Sequence, residues 1–184
     1  MVRFLSKLAL KLYGWKVVGE FPDGDKYVVL AAPHTSMWDF VWGRLYYNSI
    51  RKSVRFMIKD KYFFFPLGYW IKSLGALPVK MDHKTGLVKQ MVDEYKKRDS
   101  FLLTITPEGT RSRVRRWKRG FYHIAKAAQV PIVLGFIDYK KKELGILGTL
   151  HLSDDEDVDL EKIRKVYENI GAKHPERYNK DSIK

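Results

Sequence analysis

Apolar and polar positions along this chain follow two periods in turn. An uninterrupted apolar run, Tyr27 to Ala32, has the length and β-branched content of a buried strand. Similar short runs recur at Val54–Ile58, Ala76–Val79, Phe101–Ile105 and Pro131–Ile137, and "LGILGTLHL" (144–152) adds one more. Between them the period lengthens to that of a helix. Met37 to Ile50 reads as helical. Leu87, Met91 and Tyr95 mark one face of a helix over 84–97, and Gly120 to Gln129 suits another. An acidic run, Asp154 to Asp159, opens a last helix through about Ile170, where carboxylates meet the positive end of the macrodipole. Strands alternating with helices predict an α/β fold, with a largely parallel central sheet flanked by helices. The tail "HPERYNKDSIK" is expected to be loosely held.

The first residues have a pattern of their own. Phe4, Leu5, Leu8 and Leu12 recur at helical spacing, and Arg3, Lys7 and Lys11 lie elsewhere around the wheel. Residues 1–14 are therefore an amphipathic helix, suited to lying in a membrane interface or to packing on the domain. Residues 15–184 read as one domain, without repeat or linker. The longest stretches free of charge, Tyr27 to Trp38 and Tyr62 to Ile71, are too short to span a bilayer.

Charge changes the picture of partners. Among 184 residues, 35 Lys and Arg face 21 Asp and Glu, a formal net charge of +14. Such a surface suits an anionic partner: anionic lipid, a phosphorylated small molecule or nucleic acid. The absence of cysteine excludes a disulfide frame, a thiolate metal site and a thiol nucleophile.

Two stretches carry candidate chemistry, each just past the end of a predicted strand. In "PHTSMWDF" (33–40), Thr35 or Ser36 can cap a helix with Asp39 in its first turn. The carboxylate can then fold back onto His34, fixing one ring nitrogen and leaving the other basic. In "ITPEGTRS" (105–112), Gly109 can present bare backbone N–H groups. Arg111 offers a planar fork suited to phosphate, and Glu108 can orient that fork or a substrate hydroxyl. Six cations follow within 111–119: Arg111, Arg113, Arg115, Arg116, Lys118 and Arg119. In open α/β sheets, sites form at the C-terminal ends of strands, where His34 and Glu108 both lie.

"HTSMWD" and "TPEGTRS", in this order, resemble the first and third blocks of the glycerolipid acyltransferases, the lysophosphatidate and glycerol-3-phosphate acyltransferase family. "MIKDKYFFFPLGYWIKSLGALPVK" resembles the stretch leading into the second block, and "VPIV" (130–133) the start of the fourth. The likeness spans Tyr27 to Ile137. It implies a glycerol-3-phosphate acyltransferase-like fold and transfer of an acyl group from a thioester of CoA or acyl carrier protein. The acceptor would be a hydroxyl of a lysophospholipid or glycerol phosphate, foremost 1-acylglycerol-3-phosphate. It assigns His34 as base, Asp39 as its orienter, and Glu108, Gly109, Thr110 and Arg111 as acceptor-binding residues. It calls for no cofactor and no metal, and it places the chain peripherally on the cytoplasmic face of a membrane. The second block departs from the family: Met81 stands at the usual arginine, with Lys80 before it as a point-charge substitute. That departure keeps another lipid acceptor open, such as a lipid A precursor or an aminolipid. A basic nucleic-acid-binding module is the reading from a different class, with Trp117, Phe121 and Tyr122 near the cationic run. It leaves the His34–Asp39 spacing unexplained. "YFFFPLGYW" (62–70) reads as the lining of an acyl channel, a lipid contact or plain core.

Overall fold

The computed structural model describes residues 1–80 and 84–183. Strands β1 (Lys16–Val18), β2 (Lys26–Ala31), β3 (Val54–Lys59), β4 (Ala76–Val79), β5 (Phe101–Ile105), β6 (Ile132–Asp138) and β7 (Glu143–Leu150) form one sheet in the order β1-β7-β6-β2-β5-β3-β4. The five strands from β6 to β4 are mutually parallel. β7 runs antiparallel to β6, and β1 pairs parallel with β7, so these two close one side in the opposite sense.

Among the described residues six helices cover the sheet: α1 (Val2–Leu12), α2 (Trp38–Ser49), α3 (Leu67–Ser73), α4 (Lys84–Lys97), α5 (Gly120–Ala128) and α6 (Glu156–Tyr167). Strand alternation divides the core in two. Val28 and Leu30 of β2 join Met91, Tyr95, Phe121, Ile124, Leu160, Ile163 and Tyr167 on the face covered by α4, α5 and α6. Tyr27 and Val29 point the other way, to Leu10, Trp42, Tyr46 and Tyr47 on α1 and α2. A strand buried on both faces needs a continuous apolar run, which is what Tyr27 to Ala32 provides.

The acidic run opens α6 as expected. The Asp155 carboxylate caps the helix by accepting from the backbone N–H groups of Asp157 (3.0 Å) and Val158 (3.1 Å). α1 forms too, yet Ser6 and Leu10 face inward while Phe4, Leu5, Leu8 and Leu12 remain exposed. Neither β1 nor α3 is predicted by the sequence pattern. The tail departs from expectation outright. Tyr178, Ser182 and Ile183 are buried, so the segment is part of the fold. Its backbone lacks long regular elements, but its apolar residues reach the core and outweigh the cost of ordering it.

Candidate active site

Parallel strands deliver their following loops to one edge of the sheet, and three neighbours assemble the site there. β2 pairs with β5 on one side, Leu30 opposite Ile105, and with β6 on the other, Ala31 opposite Gly135. His34 follows β2, Glu108 follows β5 and Tyr139 follows β6.

The loop after β2 is built around one carboxylate. The Ser36 hydroxyl accepts from the Trp38 N–H (3.2 Å) as α2 begins. Asp39, in the first turn, folds back as the spacing predicts. Its Oδ2 accepts from His34 Nδ1 at 3.0 Å and from the N–H groups of Thr35 and Ser36 at 2.9 Å each. Its Oδ1 accepts from the Tyr139 hydroxyl at 2.7 Å. Burial alone would raise the pKa of Asp39. The bonds from His34, Tyr139 and the Ser36 backbone, with the charge interaction with His34, outweigh it and hold the carboxyl below its usual range. Asp39 is therefore a carboxylate that can only accept, so Nδ1 of His34 carries the proton and Nε2 is left with its lone pair. The His34 side chain remains 21% exposed, open to an incoming group.

Glu108 takes a different place from the one the sequence suggests. It is 5% exposed, and its Oε1 accepts from the His34 backbone N–H at 3.0 Å. Oε2 is buried without a partner among the described residues. Burial pushes this carboxyl up to about 7, against the lowering effect of the His34 N–H. Glu108 thus ties the histidine loop to the loop after β5 instead of facing outward.

Gly109 adopts φ +64°, a conformation that L side chains rarely enter, and its N–H closes a turn onto Thr106 O (3.1 Å). The Lys118 side chain lies across it: a Cβ at residue 109 would sit 2.6 Å from Lys118 Nζ. Thr110 and Arg111 are exposed, and the Thr110 hydroxyl accepts from the Ser112 N–H (3.3 Å). Of the six cations in 111–119, Arg119 pairs with Glu156 (2.9 Å) and Asp157 (3.8 Å) of α6. Among the described residues the other five make no ion pair.

Lys80 follows β4, at the same edge but three strands from β2, about 14 Å at the usual strand spacing. It is exposed, and its backbone N–H and C=O meet the Gln90 amide at 3.4 and 3.5 Å. Met81 and His83 lie outside the described residues. The structure therefore gathers His34, Asp39 and Glu108, places the Gly109–Arg111 turn directly after Glu108, and leaves Lys80 apart.

A family model described as acyltransferase matches residues 15–134 of this chain. The chain belongs to the acyltransferase family. The match contains His34, Asp39 and the Glu108–Arg111 turn. It stops short of Tyr139 and the C-terminal tail. A 1-acyl-sn-glycerol-3-phosphate acyltransferase of Streptococcus pneumoniae is 28% identical over 163 residues, covering 82% of this chain. The chain spans 60% of that relative's length. The crystal structure of the 1-acyl-sn-glycerophosphate (LPA) acyltransferase PlsC from Thermotoga maritima superposes with a TM-score of 0.59 at 19% identity. It covers 92% of this chain and 75% of its own, and it shows that the fold is shared.

Two contributors were missed by sequence reasoning. Tyr139 lies 100 residues from the carboxylate it holds, and no local spacing signals it. The segment that follows α6 binds all three site loops. Gly171 O accepts from the Tyr139 N–H (2.8 Å), the His174 N–H donates to the Thr35 hydroxyl (3.2 Å), and Ser182 O accepts from the Trp117 N–H (2.7 Å). The Asn179 amide adds a bond to Val114 O (3.1 Å). Tyr178 and Ile183 in "RYNKDSI" were the available signal.

Proposed function

We propose that this chain transfers a fatty acyl group from a thioester to a hydroxyl of a lysophospholipid or glycerol phosphate, with 1-acylglycerol-3-phosphate as acceptor. The observation that carries this reading is His34 Nδ1 held at 3.0 Å by a carboxylate that four donors keep ionised, within the family's matched segment. Nε2 takes the proton of the acceptor hydroxyl as its oxygen attacks the thioester carbonyl. The tetrahedral intermediate collapses, the carbon–sulfur bond breaks, and the thiolate leaves with the proton from Nε2. No covalent enzyme intermediate is required, in keeping with a chain that has no cysteine. A positioned base contributes about 10²–10⁴ in rate, and holding both substrates together contributes much of the remainder.

Glu108 acts through His34: its bond to the His34 N–H fixes the loop that carries the base. The exposed Arg111, with the other exposed cations of its loop, supplies the field for a phosphorylated head group. Lys80 is exposed at the same sheet edge, two strands from β5 and about 10 Å away at the usual strand spacing, and we assign it a supporting part in binding the acceptor's head group. The acyl donor is a thioester of CoA or of acyl carrier protein. Among the described residues no helix is long and apolar enough to cross a membrane, and the exposed apolar stripe of α1 supports peripheral attachment to a membrane surface, which we assign to the cytoplasmic face. The nucleic-acid reading gains nothing from its aromatics. Trp117, Phe121 and Tyr122 are all buried and cannot stack on bases.

The test is direct. Purified chain is incubated with an acyl-CoA series and a panel of lysophosphatidate, other lysolipids and an aminolipid, free thiol is followed, and products are identified by mass. The reading expects thiol release that depends on lysophosphatidate and yields a diacyl product. It expects His34→Ala to lose both. Release without an acylated lipid, or substantial turnover in His34→Ala, would refute it.

A further inference from the structure

Between β3 and β4 the chain reads "DKYFFFPLGYWIKS" (60–73). This segment is tightly folded. The Phe63 N–H donates to Asp60 O (2.9 Å), the Gly68 N–H to Phe64 O (2.6 Å) and the Ser73 hydroxyl to Trp70 O (2.6 Å). Ile71 is buried, and Gly68 is packed so closely that a Cβ would lie 2.8 Å from the Phe63 carbonyl. Yet five rings are exposed: Tyr62, Phe64, Phe65, Tyr69 and Trp70 are 46%, 57%, 81%, 75% and 63% exposed. Phe65 and Tyr69 meet edge-on, centroids 6.2 Å apart, outside the rest of the fold. Such exposure rules out plain core and the wall of a channel within the described fold. A clustered apolar surface of this kind marks a contact surface.

We propose that residues 60–73 form an aromatic knob that docks this edge of the sheet onto an anionic phospholipid bilayer, as an attachment separate from α1. Charge selects the occupant. Lys59, Lys61 and Lys72 are exposed and make no ion pair among the described residues, against one acid, Asp60. A second copy placed across a two-fold axis would set these like charges against each other. A bilayer with anionic head groups meets both features: the rings settle at head-group level and the lysines reach the phosphates.

Position gives the contact a use. The knob follows β3, which neighbours β5, so it emerges from the same edge as His34 and Glu108, about 10 Å from β2 at the usual strand spacing. A lipid acceptor would enter from the surface the knob touches. This last point rests on the acyltransferase reading; the binding itself does not.

The experiment sediments the full chain with vesicles of phosphatidylcholine alone and of equimolar phosphatidylcholine and phosphatidylglycerol. The parent, His34→Ala and a Phe65→Ser/Trp70→Ser double variant are compared, with melting temperatures measured alongside. The proposal expects the double variant to lose about tenfold or more in partitioning onto the mixed vesicles with its melting temperature unchanged, both side chains being solvent-facing. It expects His34→Ala to bind as the parent does, so failure of catalysis and failure of docking are separable. A double variant that binds like the parent overturns the proposal. So does a parent that dimerises without vesicles through a contact the double variant breaks. Trp70→Phe offers a second readout in an intact fold: brominated lipid should quench less of the tryptophan emission than in the parent, and equal quenching also overturns the proposal.

Discussion

The Asp39 carboxylate is the residue on which the site turns, because four donors converge on it and only one is the His34 imidazole proposed as base. Asp39→Asn keeps the shape but removes the negative charge and leaves one acceptor oxygen where there were two, so the imidazolium formed when Nε2 takes a proton loses its stabilising carboxylate. We expect kcat to fall at least about a hundredfold with little change in KM. Tyr139→Phe removes one hydrogen bond to a charged group, and kcat should fall about tenfold at constant KM. Equal loss of acceptor affinity in either variant would instead make them binding residues. Glu108 adds a pH dependence. Its pKa rises from 4.5 to about 7 on folding, so the folded state binds more protons than the unfolded chain across that window. Stability is full below about pH 4.5 and declines as pH rises through about 7, by on the order of 3 kcal/mol. Glu108→Gln should flatten the melting temperature between about pH 5 and pH 8. A parent-like slope in that variant would place the titration elsewhere. His34, Asp39 and the Glu108–Arg111 turn were legible in the sequence because each lies next to a strand end that an apolar run announces. The burial of Glu108 was not, since it depends on a backbone N–H 74 residues away.

Elements were legible where one period dominates. β2, β5 and β6 are continuous apolar runs, and α4 repeats its apolar face cleanly. β1 is three exposed residues that form a strand only because β7 offers its edge, so local pattern carries no trace of it. α1 shows the opposite case. Its periodicity was evident, but the stripe formed by Phe4, Leu5, Leu8 and Leu12 faces solvent, and the core takes Leu10 instead. The tail was misjudged because its anchors are spaced irregularly, as suits a strap crossing several loops. Tyr178 and Ile183 are each buried, and at about 1.5–3 kcal/mol per side chain their removal costs about 3–6 kcal/mol. A chain ending at Ala172 also loses the bonds to Thr35, Val114 and Trp117. It should therefore melt far lower, and any folded fraction should show a strongly reduced kcat. Unchanged melting and turnover would make the tail a passive cover.

At the scale of the whole molecule, charge and apolar surface act together. A formal net charge of +14 draws the protein toward an anionic surface from several ångströms away, over a range set by ionic strength. The Debye length shrinks from about 30 Å at 0.01 M salt to about 8 Å at 0.15 M, so the attraction of exposed lysines and arginines weakens across that interval. Exposed apolar groups respond oppositely, since their transfer out of water is not screened. The α1 stripe and the outward rings of 60–73 should then leave a residue of binding that salt does not remove. Measured on vesicles containing phosphatidylglycerol, affinity should fall steeply as salt rises and then level off above zero. On phosphatidylcholine alone only the level portion should remain. Decay to nothing at high salt would mean that charge alone holds the protein to the surface. Indifference to both salt and lipid charge would mean that the net charge serves some other partner, and the exposed cations after Glu108 would then have to be understood as a head-group site rather than as part of a membrane-facing field.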